Sequence, residues 1–307
     1  MVVARLRAAG CVFAEDEAAL LREAARPAPP DRVGTPYPVR HTFLPTRVRS
    51  ADPADVLEEL VARRVAGEPL EHVLGWVAFA GRRWSVGPGV FVPRRRTELM
   101  VRAALELSGR AAGIPAARPD SSVTVVDLCC GCGAVGGAVA VGLRERRGRL
   151  QPHGADDGVV LHAADVDTAA TEHARRNLTP LGGAVHTGDL FAALPPGLRG
   201  SVDVLLCNAP YVPTAAIATM PPEAREHEPA VALDGGDDGL DVLRRVAAGA
   251  PAWLAPGGSL LFEVGTGQVD AATRLVAHHS LAPRVVTDDD PDADDATGGT
   301  VVVATAR

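Results

Sequence analysis

The chain contains no lysine: all 31 of its basic residues are arginine. Schiff-base chemistry, a phosphate-loop lysine and a lysine general base are therefore excluded. Aromatic residues make up only 4% of the chain, which leaves little material for stacking flipped bases. No apolar run approaches the ~20 residues that cross a bilayer. The first thirteen residues carry two arginines and no long apolar core, so no secretory leader is expected. The net charge of −7 argues against broad binding to nucleic-acid phosphates. Five cysteines are an odd number in a large chain, so they do not form a disulfide framework, and a reducing cytoplasm is the expected compartment.

What is present is ordinary globular composition, 47% hydrophobic and 22% charged. At 307 residues the chain exceeds the usual ~100–200 of one domain. Residues 1–75 read as a small helical domain, with helices expected over 3–9, 15–25 and from Pro53 to Gly67, and a proline-rich stretch over 27–45. Asp52-Pro53 is an N-cap followed by proline at the first helical position. Residues 76–92 alternate apolar and polar with glycine punctuation, as in a β-hairpin that links to a domain spanning 93–307. There the pattern becomes strand–helix–strand. Strands are expected over 123–128, 159–164, 184–187, 202–207, 259–264, 284–287 and 300–305, with helices over 134–146, 169–177 and 240–253. Such alternation predicts a mostly parallel sheet covered on both faces, and the close spacing of the last two strands suggests that they pair antiparallel.

Four constellations follow these strands in order. The first is Asp127-Leu128-Cys129-Cys130-Gly131-Cys132-Gly133. Gly131 and Gly133 lack Cβ atoms, so a ligand can approach the backbone, and the next helix presents N–H groups. Gly131, Gly133 and Gly136 also fit the spacing of a dinucleotide site. That motif wants an acidic residue about 20 positions on, whereas Asp165 lies 29 after Gly136 (165 − 136). Asp127 would also repel a pyrophosphate and attract a cationic amino-acid end. The three cysteines here form one tight cluster without a second pair or a nearby histidine, so packing is a better account than zinc. The second constellation, Asp165-Val166-Asp167, gives a carboxylate for ribose hydroxyls at Asp165 and a helix cap at Asp167. In the third, Gly188-Asp189-Leu190, the carboxylate can meet a purine's exocyclic amine. The fourth is Asn208-Ala209-Pro210-Tyr211. The amide and backbone carbonyls there can hold a planar nitrogen by its hydrogens, and the tyrosine ring can stack on a planar group.

Together with Glu68-Pro69-Leu70, Val92 to Glu98, Glu228-Pro229, Ala232 to Asp241, Pro256-Gly257-Gly258, Glu263 and Gln268, this ordered series resembles the HemK/PrmC family. Those are protein-(glutamine-N5) methyltransferases dependent on S-adenosylmethionine. The resemblance implies an α/β fold: a seven-stranded Rossmann-like methyltransferase sheet with a small N-terminal helical domain and a linking β-hairpin. It implies S-adenosylmethionine as cofactor, held by Asp127, Cys129, Gly131, Gly133, Asp165, Val166, Asp189, Leu190, Asn208 and Thr97. It implies catalysis at Asn208, Ala209, Pro210 and Tyr211, with the Asn208 side chain and the Ala209 carbonyl holding a glutamine amide. The implied partner is a peptide-chain release factor presenting a Gly-Gly-Gln loop; no metal, membrane or stable nucleic-acid partner is expected.

Three departures mark a divergent subgroup. Ala209 stands where the family has a first proline, Cys129 replaces the first glycine of the cofactor turn, and the proline-rich stretch over 27–45 falls in the helical domain. Three other readings stay open at this point: an adenine-N6 methyltransferase, a small-molecule N-methyltransferase, and an inactive cofactor-binding module.

Overall fold

Apolar residues at helical spacing near the N-terminus form α1 (Val2–Ala8) and α2 (Ala14–Ala24). Asp52 caps α3 (Pro53–Val65), its Oδ1 accepting the Ala54 N–H at 2.8 Å, and Pro53 sits where a missing N–H is harmless. A short α4 (Leu70–Leu74) follows. Leu6, Leu21, Leu60 and Val73 gather these helices into a small apolar cluster of their own. These coordinates are a computed structural model describing residues 1–26, 52–107, 122–147, 158–288 and 299–307. The proline-rich stretch over 27–45 lies outside the described residues.

The hairpin is β1 (Trp76–Phe79) against β2 (Arg82–Ser85), antiparallel, turning through Ala80 and Gly81. It is shorter than the alternation suggested. Residues 86–92 leave the ladder because Val86, Val90 and Val92 turn into the main core instead. Next come α5 (Glu98–Leu107), β3 (Val123–Leu128), α6 (Ala134–Arg146), β4 (Val159–Asp165), α7 (Thr168–Leu178), β5 (Ala184–Thr187) and β6 (Val202–Cys207). The chain then forms α8 (Thr214–Ile217), α9 (Pro222–His227), α10 (Asp241–Gly249), β7 (Leu254–Glu263), α11 (Val269–His278), β8 (Leu281–Thr287) and β9 (Thr300–Ala306).

The large sheet has seven strands in the order β5-β4-β3-β6-β7-β9-β8. β9 alone runs against its neighbours, pairing antiparallel with both β7 and β8. Every residue of β3 is buried, as a Val-rich strand covered on both faces must be. Val125, Leu206 and Val303 face α5, α6 and α7 on one side, while Val126, Leu205 and Val302 face α10 and α11 on the other. β3 pairs with β4 on one edge and β6 on the other, so the chain switches direction of travel across the sheet there. Ligand crevices form at the carboxyl ends of strands beside such a switch.

Candidate active site

A cleft of about 340 Å³ opens at the carboxyl ends of β3, β4 and β6. The chain brings Asp127, Cys129, Gly131, Asp165, Val166, Asp189, Leu190 and all four residues of 208–211 to its walls. Gly133 and Thr97 do not line it.

β3 ends on Asp127, whose Oδ2 accepts the Gly136 N–H at 2.9 Å from the first turn of α6. One N–H of the helix N-terminus is thus taken by the protein's own carboxylate. Burial pushes the Asp127 carboxyl up to about 7, and Asp165 nearby acts in the same direction. The turn that follows holds Cys129 at φ +52. A side chain in the left-handed region costs about 1–2 kcal/mol, which is why glycine is the natural residue there. At Gly131 a Cβ would meet no atom within 4 Å, so the cleft reaches the bare backbone. Gly133 has a different reason: a Cβ there would lie 2.8 Å from Leu178 Cδ1, so its role is to let α6 start close against α7.

The cysteines behave as packing groups. Burial raises the thiols of Cys130 and Cys132, the latter to about 12, and the neighbouring Cys207 thiol together with burial raises that of Cys129. Among the described residues no group of three or more His, Cys, Asp or Glu is placed to hold a metal ion.

Asp165 accepts two backbone hydrogens, from Gly131 at 2.8 Å (Oδ2) and Asp167 at 2.9 Å (Oδ1). Each oxygen keeps a further lone pair for a ligand hydroxyl. Burial raises this carboxyl as well. Asp167 is the cap of α7, accepting the Ala169 N–H at 2.8 Å. Asp189 is at the rim, ion-paired with Arg245 at 2.6 Å. A purine amine would therefore meet a carboxylate that already has a cation.

Beyond β6, Asn208 Oδ1 is buried with no hydrogen-bond partner. Leaving a buried acceptor unsatisfied costs about 1–3 kcal/mol, and this one belongs to a residue that lines the cleft. The Tyr211 hydroxyl donates to Glu263 Oε1 at 2.7 Å and accepts from Arg96 Nη2 at 2.9 Å. Thr97, expected beside the cofactor, is instead buried behind the wall, its hydroxyl donating to Glu263 Oε2 at 2.6 Å. Its neighbour Glu98 faces the hairpin and accepts the Ala80 N–H at 2.9 Å. Glu263 and Arg96 fall within the motif series, but their residue types alone point to no task there. They lie 167 residues apart, and no spacing signal links them.

The three arginines of the cleft wall are all neutralised: Arg94 by Glu228 (2.6 Å), Arg96 by Glu263 (2.9 Å) and Arg245 by Asp189 (2.6 Å). Glu228 Oε1 also accepts the Val92 N–H at 3.2 Å.

The residues fit S-adenosylmethionine. A cationic amino-acid end would meet the carboxyl of Asp127 and hydroxyls that of Asp165, and a Cβ-free backbone at Gly131 lies between them.

No family model matches the chain. It is 34% identical over 244 residues to a release factor glutamine methyltransferase of Geobacter sulfurreducens, covering 79% of this chain and 76% of that one. A release factor glutamine methyltransferase of Mycolicibacterium smegmatis is 35% identical over 243 residues, covering 75% and 78%. A 4-amino-L-phenylalanine/4-methylamino-L-phenylalanine methyltransferase of Streptomyces pristinaespiralis is 36% identical over 218 residues, covering 70% and 67%. Matched at this identity over most of both chains, and carrying the motif series in order around one cleft, the chain belongs to the release factor glutamine methyltransferase (HemK/PrmC) family of S-adenosylmethionine-dependent enzymes.

Proposed function

We propose that this enzyme methylates the side-chain amide nitrogen of a glutamine in the Gly-Gly-Gln loop of a peptide-chain release factor. The observation that carries this reading is the buried, unpartnered Oδ1 of Asn208 in the cleft wall. With the Ala209 carbonyl it forms a pair of acceptors matched to the two hydrogens of a carboxamide. An amide nitrogen is a poor nucleophile because its lone pair is delocalised. Acceptors that strengthen as the N–H groups become more acidic favour the transition state over the ground state. Pro210 stiffens the segment and Tyr211 flanks the reacting nitrogen. No general base is needed in the wall, since the proton can leave to water after transfer.

S-adenosylmethionine supplies an activated methyl group on a sulfonium centre. Asp127 would hold its ammonium end and Asp165 its ribose hydroxyls, with the turn from Cys129 to Gly133 admitting it, and Val166, Asp189 and Leu190 would receive the adenine. What remains for the protein is alignment of nitrogen, methyl carbon and sulfur.

The neutralised arginines support a carboxamide rather than a nucleotide acceptor, because a phosphate backbone wants unpaired cations. Residues 1–75 are the proposed partner-recognition domain, joined through the hairpin region of 76–92 to the methyltransferase domain of 93–307. No helix among the described residues is long and apolar enough to cross a membrane. A release factor as substrate implies the cytoplasm.

One observation favours a second reading, a small aromatic amine as acceptor: the 36% identity to the Streptomyces pristinaespiralis enzyme. Both readings are tested by incubating the enzyme with methyl-labelled cofactor and separate pools of release factor, 4-amino-L-phenylalanine and RNA. Label on the release-factor glutamine, located by mass spectrometry, supports the first. Label confined to the amine supports the second, and label confined to RNA contradicts both.

A further inference from the structure

We infer that Glu263 is a positioning residue for methyl transfer: its carboxylate fixes the Tyr211 ring and, through it, the segment 208–211. This rests on the reading of that segment as the acceptor site.

Glu263 does not line the cleft, and its side chain is only 2% exposed. It therefore touches no substrate and acts only through its neighbours. Three donors converge on it: Arg96 Nε at 2.9 Å, the Tyr211 hydroxyl at 2.7 Å and the Thr97 hydroxyl at 2.6 Å. Arg96 Nη2 also donates to the Tyr211 oxygen at 2.9 Å, which closes a ring of carboxylate, phenol and guanidinium. A phenol has one hydrogen to give. Here Glu263 receives that hydrogen and Arg96 donates to the oxygen, so the hydroxyl end of the ring is held from two sides. A plain ion pair would need only one carboxylate oxygen. This one uses both oxygens, and two of its three partners, Arg96 and Tyr211, are wall residues.

The anchor is rigid. Glu263 is the last residue of β7, paired with Val301 of β9 in the sheet. The backbone of Tyr211 is held from another direction, its carbonyl accepting Gln268 Nε2 at 2.9 Å. At Gly239 a Cβ would lie only 2.2 Å from the Tyr211 carbonyl oxygen, so there is no slack on that side. Main chain and side chain of Tyr211 are thus clamped separately, and Glu263 supplies the side-chain clamp. Displacing a positioning group by about 1 Å can cost about 10²-fold in rate.

The test is Glu263→Gln in the full chain, which keeps the size and removes the charge and one acceptor. Methyl transfer to recombinant release factor is followed with labelled S-adenosylmethionine, and S-adenosylhomocysteine affinity by calorimetry. The expected result is a roughly 10–10²-fold fall in kcat with Kd for the cofactor product unchanged. In a Tyr211→Phe background the same substitution is expected to have little further effect. Glu263→Asp is expected to restore part of the rate. Thr97→Val, which removes only one donor, serves if Glu263→Gln does not fold; it is expected to lower kcat by a smaller factor.

A readout independent of the acceptor uses the chain's two tyrosines, Tyr37 and Tyr211. In protein carrying ¹³C-tyrosine, the Tyr211 ring signals are expected to shift and average in Glu263→Gln and to stay resolved in Glu263→Asp. Unchanged ring signals, or additive losses in the Tyr211→Phe background, would overturn the inference. Asn208→Ala separates the two claims. If that variant is inactive while Glu263→Gln keeps full kcat, the inference alone fails; if Asn208→Ala stays active, the acceptor-site reading fails and takes the inference with it.

Discussion

The Gly131 N–H donates to Asp165 Oδ2 at 2.8 Å, tying the turn after β3 to the end of β4. One carboxylate thus braces the turn while Asp165 itself lines the cleft. Asp165→Ala removes that carboxylate. It is expected to weaken S-adenosylhomocysteine binding by about 1.5–3 kcal/mol, roughly ten- to hundredfold in Kd. Calorimetry checks this, and an unchanged Kd would remove Asp165 from the cofactor site.

Asp127 gives a pH dependence with a definite sign. Burial raises its carboxyl from 3.8 to about 7 in the folded chain. Its contribution to stability is fully present below the unfolded value and is lost as pH rises from there through about 7. A ligand ammonium favours the ionised form, so affinity for the cofactor product is expected to increase between pH 6 and pH 8, with proton release on binding at the lower pH. Calorimetry in two buffers of different ionisation enthalpy measures that release. Asp127→Asn should bind more weakly and lose the dependence; a slope that persists would assign it to another group.

Gly133 lies outside the cleft yet is indispensable to the turn. With φ +78 and a prospective Cβ 2.8 Å from Leu178 Cδ1, Gly133→Ala combines backbone strain with overpacking. A loss of about 2 kcal/mol is expected in urea unfolding. An unchanged midpoint would mean that α6 and α7 shift apart freely.

How far the sequence could be read depends on whether a signal is local. Val123–Leu128 and Val202–Cys207 are recovered with their exact bounds because short runs of Val and Leu have no exposed face to confuse. β7 starts earlier than expected, at Leu254, since Pro256-Gly257-Gly258 reads as a turn although it lies within the strand. Five helices are missed: the short α4, α8 and α9, and two of ten residues each. α11 (Val269–His278) carries β-branched Val269, Thr273 and Val276 and has no side-chain cap. α5 (Glu98–Leu107) grows out of the 3₁₀ turn over Arg95–Thr97 without a capping residue of its own.

At the site, residues that follow strands are legible, because topology alone carries Asp127, Asp165 and Asn208 to one sheet edge. Thr97 shows where that logic ends. Its segment does reach the cleft through Arg94 and Arg96, but the intervening rotation of the chain aims Thr97 away, toward Glu263. The orphaned Oδ1 of Asn208 is likewise invisible in the sequence, since the absence of a partner is a property of everything packed around it.

The most direct measurement is the pairing of turnover and cofactor affinity in Asn208→Ala. If the amide oxygen exists to grip the methyl acceptor, kcat for release-factor methylation falls by at least about 10²-fold while S-adenosylhomocysteine binds within about twofold of wild type. Retained turnover, or a parallel loss of both quantities, would contradict it.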